Sequence, residues 1–302
     1  MYYMKLENLS EKAAQNRKKK VAVAAAEDQE VLEAVASSIE RGMAEFLLFG
    51  SETEISKLLE KNHPGINTGD LTIVHAFSAS DAAEKAVKAV RNKEADVLMK
   101  GNIPTAALLK AVLHKEHGLR TGNVLSHAAV FEIPGFDRLI IVTDAAMNIA
   151  PDLHQKAQII TNTVGIAKAA GIEKPKVAPL AAVEVINPAM QVTIDAAALT
   201  QMNRRGQIRG CIVDGPLALD NAISAIAAEH KGVKGEVAGK ADILLVPNIE
   251  AGNILYKSLM YFAGAKVGAV IAGAAAPIVL TSRADSAESK VNSLALALCS
   301  AQ

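Results

Sequence analysis

The sequence predicts an α/β protein in which mostly parallel sheets are covered by helices on both faces. Two observations predict it: short β-branched runs alternate with helical segments almost throughout, and the ends of those runs are unusually polar. A third, the length of 302 residues with half of them apolar, exceeds what one growing core accommodates and predicts two lobes.

In order, "VAVAAA" from Val21, "EFLLFG" from Glu45, "LTIVHAF" from Leu71 and "ADVLMKG" from Ala95 read as strands. Between them, "DQEVLEAVASSIERG" and "SDAAEKAVKAVRNKE" place apolar residues three and four apart, the helical period. Asp28, Ser51 and Ser80 stand where helix N-caps belong. A basic cluster, 17–20, precedes the first strand and is expected to face solvent. Residues 115–134 are the most irregular stretch, interrupted by Gly, Asn and Pro, and the lobe boundary is set there. A second series begins near Phe131, with strands in "RLIIVTD", "PKVAPLA", "IRGCIVDG", "ADILLVPN" and "KVGAVIAG". No short-period repeat is present, which excludes a solenoid.

Composition narrows function. Lys plus Arg and Asp plus Glu both number 32, and Trp is absent, so neither nucleic acid nor an anionic membrane is an expected partner. The longest apolar stretch, 267–280, is too short to span a bilayer. Cys211 and Cys299 are the only cysteines, and the N-terminus lacks a signal segment, so a cytoplasmic protein without disulfides is expected. The chain has no G-x-G-x-x-G after its first strand, no G-x-x-x-x-G-K-[ST] and no G-x-S-x-G. His114 and His117 in "HKEH", like His75, His127 and His154, lack further ligands in sequence, and no metal site is expected.

Ligands of α/β folds gather at the carboxyl ends of strands. Five such ends are polar: "MKGNIPT" (99–105), "VTDAAMN" (142–148), "VDGPLALD" (213–220), "VPNIEAGN" (246–253) and "LTSRADS" (280–286). Lys100 reads either as a solvated strand terminus or, with Thr105 and the helix that follows, as an anion ligand. Arg120 is a surface arginine or a substrate contact in the irregular junction. Ser282 and Arg283 form the best-defined pair, a planar guanidinium fork beside a hydroxyl, suited to phosphate. Ser286 reads as a helix cap. Asp285 and Glu288 lie before or in that helix's first turn, where the dipole stabilises acids, and beside an anion site either is a candidate base. Asn248 is a helix cap or a ligand contact, and Asn253 and Tyr256 share a helical face.

Taken together, these segments resemble the phosphate acetyl/butyryltransferase family over nearly the whole chain. The resemblance rests on the spacing of 100–110, on "DGPLALD", "PNIEAGNILYK" and "LTSRADS". "TDAAMNIAPDL" and "SHAAVFE" resemble its butyryltransferase branch. It implies an isocitrate/isopropylmalate dehydrogenase-like architecture with an interlobe cleft. The N-terminal lobe would comprise 1–130 plus 275–302 on the phosphate side, and the middle lobe 131–274 on the CoA side, carrying a homodimer interface. The implied reaction is reversible acyl transfer, butanoyl-CoA plus phosphate giving butanoyl phosphate plus CoA, with no metal or other cofactor.

Carried over by residue, Ser282 and Arg283 meet phosphate, with Lys100, Thr105, Lys110, Arg120, Ser126 and Asp144 as further phosphate or substrate contacts. Lys110 replaces an arginine of the acetyltransferases. Asn248, Asn253, Tyr256 and Lys257 fall at the CoA end. The family's proposed aspartate base lies six residues beyond the arginine; here that position is Ser289, leaving Asp285 and Glu288 as substitutes. The alternatives are a phosphate acetyltransferase or a broad short- and branched-chain enzyme, a non-catalytic CoA- or acyl-phosphate-binding protein, and a dehydrogenase of the same fold.

Overall fold

In the computed structural model, residues 5–280 and 286–301 are described. The chain forms two compact units, one of Leu6–Asn123 with Gly268–Gln302, the other centred on Val124–Val267.

The first unit opens with α1 (Leu6–Gln15) and β1 (Lys19–Ala24). It continues through α2 (Gln29–Glu40), β2 (Ala44–Gly50), α3 (Glu52–Asn62), a 3-10 turn (Thr68–Asp70) and β3 (Leu71–His75). α4 (Ala79–Arg91), β4 (Val97–Lys100) and α5 (Thr105–Val112) follow. The second unit holds β5 (Ser126–Glu132), β6 (Ile140–Thr143), α6 (Leu153–Ala169), β7 (Lys176–Pro179), α7 (Gln191–Arg204) and β8 (Ile212–Val213). It ends with α8 (Leu219–Ile223), α9 (Ala225–His230), β9 (Ile243–Leu245) and α10 (Ile249–Tyr261). The chain then returns to the first unit through β10 (Lys266–Ala272), β11 (Ile278–Val279) and α11 (Ala287–Ser300).

Strand order in the first unit is β3-β2-β1-β4-β11-β10, and in the second β5-β6-β9-β7-β8. Pairing is parallel except for β5 with β6 and β10 with β11. β1 is central: Val21 stands opposite both Phe46 and Val97, and residues 21–24 are wholly buried, as an interior parallel strand requires. α11 is buried from Ser289 to Leu298, including the polar Ser289, Lys290, Asn292 and Ser293. Ser293 satisfies its hydroxyl by donating to the Ser289 carbonyl and accepting from the Ala269 N–H. Helix and strand backbones meet closely there: a Cβ on Gly268 would lie 2.9 Å from the Asn292 carbonyl oxygen.

Two sequence expectations are corrected. Ser78, not Ser80, caps α4 by accepting from the Asp81 N–H, whereas Asp28 and Ser51 cap α2 and α3 as expected. Of the 17–20 cluster, Arg17, Lys18 and Lys20 are exposed as expected, and only Lys19 departs from that reading. Lys18 pairs with Asp70, and Lys19 lies in β1 and donates to the Leu298 and Ala301 carbonyls at the end of α11. No helix among the described residues is long and apolar enough to cross a membrane.

Candidate functional site

The carboxyl ends of β1 and β4 are laced together. The Gly101 N–H donates to the Ala24 carbonyl (2.8 Å) and the Asn102 N–H to that of Ala25 (2.6 Å). Only glycine fits at 101, since a Cβ there would stand 2.0 Å from the Ala25 oxygen. Ala25 itself holds φ at 58°, a left-handed conformation that alanine rarely adopts. Lys100 ends β4 but is no solvated terminus: it is buried, and its Nζ donates to the Gly101 carbonyl at 3.0 Å.

Thr105 is the first residue of α5 and is exposed; Pro104 precedes it, and no side chain caps this helix start. Lys110 projects from the last turn of α5 into a cavity of about 140 Å³ shared with Ser80, Glu84, Lys88, His114 and His117. The rings of His114 and His117 stack with centroids 5.4 Å apart. His114 Nδ1 accepts from the Glu116 and His117 N–H groups, which accounts for one of its ring nitrogens without a metal. Arg120 is exposed, while the backbone around it is tied down: Leu119 accepts from the Ala275 N–H and Thr121 donates to Gly273.

Ser282, Arg283 and Asp285 lie outside the described residues. Glu288 falls in the first turn of α11 and is exposed. Ser286 caps that helix by accepting from the Ser289 N–H, as expected. Ser289, at the position six beyond Arg283, is buried with its hydroxyl 3.2 Å from that of Ser286.

In the second unit, Asp144 follows β6 and is almost wholly buried. Its Oδ1 accepts from the Ala146 and Met147 N–H groups (3.0 Å each), and its Oδ2 from the backbone and side-chain amides of Asn148 (3.2 and 2.6 Å). The carboxylate therefore organises its own loop. Ser126 is fully buried too, its Oγ accepting from Asn162 Nδ2 at 2.9 Å. Both were expected to touch substrate; here each is buried and hydrogen-bonds protein.

Asn248 caps α10 through the Ala251 N–H (3.0 Å). Gly252, one turn in, lets the helix press on the Asp144 loop: a Cβ would meet the Asp144 oxygen at 2.8 Å and Ala145 Cα at 2.9 Å. Asn253 and Lys257 are exposed, and Tyr256 is half-buried. Tyr256 meets Phe131 edge-on at 5.3 Å and His127 at 5.9 Å, with the Lys257 ammonium 5.4 Å from its ring.

Residue-by-residue reading of the sequence passed over Asn148 and Asn162, which hold the Asp144 loop and Ser126. Only the terminal Asn of "VTDAAMN" signalled the first of them. It also passed over Asp214, after β8, whose carboxyl is raised above its ordinary value by burial, against the pull of Arg204. Burial pushes the Cys211 thiol up to about 11 and raises that of Cys299, so neither is a ready nucleophile. Among the described residues no group of His, Cys, Asp and Glu is arranged to hold a metal.

Comparison with known proteins adds four findings. The family described as phosphate acetyl/butaryl transferase matches residues 4–80 and 69–298. A probable phosphate butyryltransferase of Bacillus subtilis (strain 168) is 58% identical over 99% of both chains. The phosphate butyryltransferase of Clostridium acetobutylicum is 55% identical over 92% of each. Among solved structures, a branched-chain phosphotransacylase from Enterococcus faecalis V583 superposes with a TM-score of 0.81 at 37% identity, covering 93% of this chain and 98% of that one.

Proposed function

This chain belongs to the phosphate acetyl/butaryl transferase family, and we propose that it exchanges phosphate and CoA on a butanoyl group, as a phosphate butyryltransferase. The observation that carries the reading is the 58% and 55% identity, over 99% and 92% of the chain, to relatives bearing that name.

The transfer is direct, in a ternary complex. A phosphate oxygen attacks the thioester carbonyl, the tetrahedral intermediate collapses, and CoA leaves as the thiolate. In reverse, the CoA thiol, with a reference pKa of about 8.5, loses its proton to a carboxylate before attacking the acyl phosphate. Arg283 and Ser282 hold the phosphate, supported by Lys100, Thr105 and Arg120, and Lys110 meets an anionic part of the substrate. Glu288 or Asp285 moves the proton. Asn253, Tyr256 and Lys257 receive CoA along α10. The buried Asp144 and Ser126 and the capping Asn248 act by fixing the loops around them. No metal or further cofactor takes part. The protein is a cytoplasmic homodimer, joined through its second unit.

Phosphate-dependent release of free thiol from butanoyl-CoA is the direct test. Arg283→Ala is expected to lower that rate by about a hundredfold or more, and an unchanged phosphate dependence removes the arginine from its role. A broader reading, covering short and branched acyl groups, is favoured by the likeness to the branched-chain phosphotransacylase. Initial rates over acetyl-, propanoyl-, butanoyl- and branched acyl-CoA decide between the two.

A further inference from the structure

Lys290 is a buried cation in an unfavourable place. It is 3% exposed, and its backbone N–H donates to the Ser286 carbonyl at 3.1 Å, closing the first turn of α11. A positive charge there opposes the helix dipole, and burial adds a desolvation cost. Its Nζ stands 2.6 Å from Glu30 Oε2, in the first turn of α2. The Glu30 side chain is 54% exposed, so water screens part of the attraction it returns. A methionine would fill similar space without either cost, and stability alone does not account for the lysine.

What the pair secures is location. α2 follows β1 and α11 follows β11, the parallel neighbours of β4 on either side. The second turn of α11 is fixed to β10, by the close approach of Gly268 to Asn292 and by Ser293, which accepts from the Ala269 N–H at 2.9 Å. Lys290 ties the first turn to a different element, α2. That turn carries Glu288, a candidate proton carrier, and Ser289, at the position of the family's proposed base.

We propose that the Lys290–Glu30 pair positions the first turn of α11 for catalysis, holding Glu288 at a fixed distance from the CoA sulfur. The inference rests on the transferase reading above. In the acyl-phosphate direction the thiol proton passes to the Glu288 carboxylate as sulfur attacks the acyl carbon. The bond from that carbon to the phosphate oxygen breaks, and the leaving phosphate takes the proton. Both members of the pair act through Glu288, and neither touches substrate.

Thiol release from butanoyl-CoA tests it. Lys290→Met leaves Glu30 in water, and is expected to lower kcat about tenfold with the urea midpoint little changed. KM for phosphate should change less than about twofold. The solvent isotope effect on kcat should rise, because the proton then crosses a misaligned path; a residue that only supports folding would move the midpoint instead. Lys290→Arg, which keeps the charge, should retain most of the rate. Adding Glu30→Gln to Lys290→Met should slow the enzyme no further, since the two residues act as a unit. Lys85→Met, which breaks an exposed pair with Asp81 on α4, should leave kcat alone. An unchanged kcat, a fall matched by the urea midpoint, an unchanged isotope effect, or additive losses overturns the inference. A lower KM for phosphate in Glu30→Gln overturns it too, because the ammonium would then be a direct phosphate ligand. If the wild type released no thiol from any acyl-CoA, reaction and inference would fall together; an active wild type with indifferent variants sinks the inference alone.

Discussion

Lys93 follows the C-cap of α4 with φ at 62°, a conformation that costs any residue with a Cβ. Lys93→Gly is therefore expected to raise stability by about 1 kcal/mol, seen as a higher urea midpoint at unchanged slope. A lower midpoint would show that the lysine stem contributes more than the backbone strain removes. Lys100 carries the wider lesson at this scale. Its position at a strand end and its candidacy for anion binding were legible, because both follow from the apolar run before it. Its burial was not, because that depends on how Gly101 and Asn102 fold back onto Ala24 and Ala25. Ser126 and Asp144 make the same point: the resemblance implied a substrate contact for each, and their burial and their partners Asn162 and Asn148 came only with the fold.

At the level of elements, α10 is placed by its second turn. Gly252 faces the Asp144 and Ala145 backbone and the stiff, branched Val246 side chain, so even a methyl group forces helix and loop apart. Gly252→Ala should cost about 1–3 kcal/mol in denaturant unfolding and raise the KM for CoA; unchanged stability would mean the loop gives way. Helix α1 and strand β5 were not read in sequence, and β5 is the more telling of the two. Its polar opening, Ser126-His127, interrupts the alternation, and it lies within the stretch read as the most irregular, yet most of it is buried and it pairs with β6. β8 and β11, two residues each, were legible as apolar runs but not as strands of that length. The N-cap of α4 was displaced by two residues because "SAS" offers two serines and only backbone geometry selects between them.

For the molecule as a whole, Asp242 links stability to pH. Burial raises its carboxyl above 3.8, despite the Lys176 N–H it accepts and the nearby Arg138. The folded state therefore binds this proton more tightly than the unfolded one. The resulting stability is fully present below the unfolded value and is lost as pH rises through the folded one. Asp242→Asn cannot titrate, so the difference in unfolding free energy should move in the variant's favour as pH climbs from about 4. A difference that stays constant with pH would contradict the assignment.

The sequence by itself determined the alternating strands and helices, their mostly parallel pairing and the family. These are written in local periodicity and in contiguous motifs, which survive without any knowledge of distant contacts. Only the tertiary structure decided which polar side chains are buried and which partners they bond. That outcome depends on partners many residues apart, such as Asn162 for Ser126 and the Asp144 loop for Gly252. A buried polar atom must find a hydrogen bond, and the nearest donor in space is chosen by the fold.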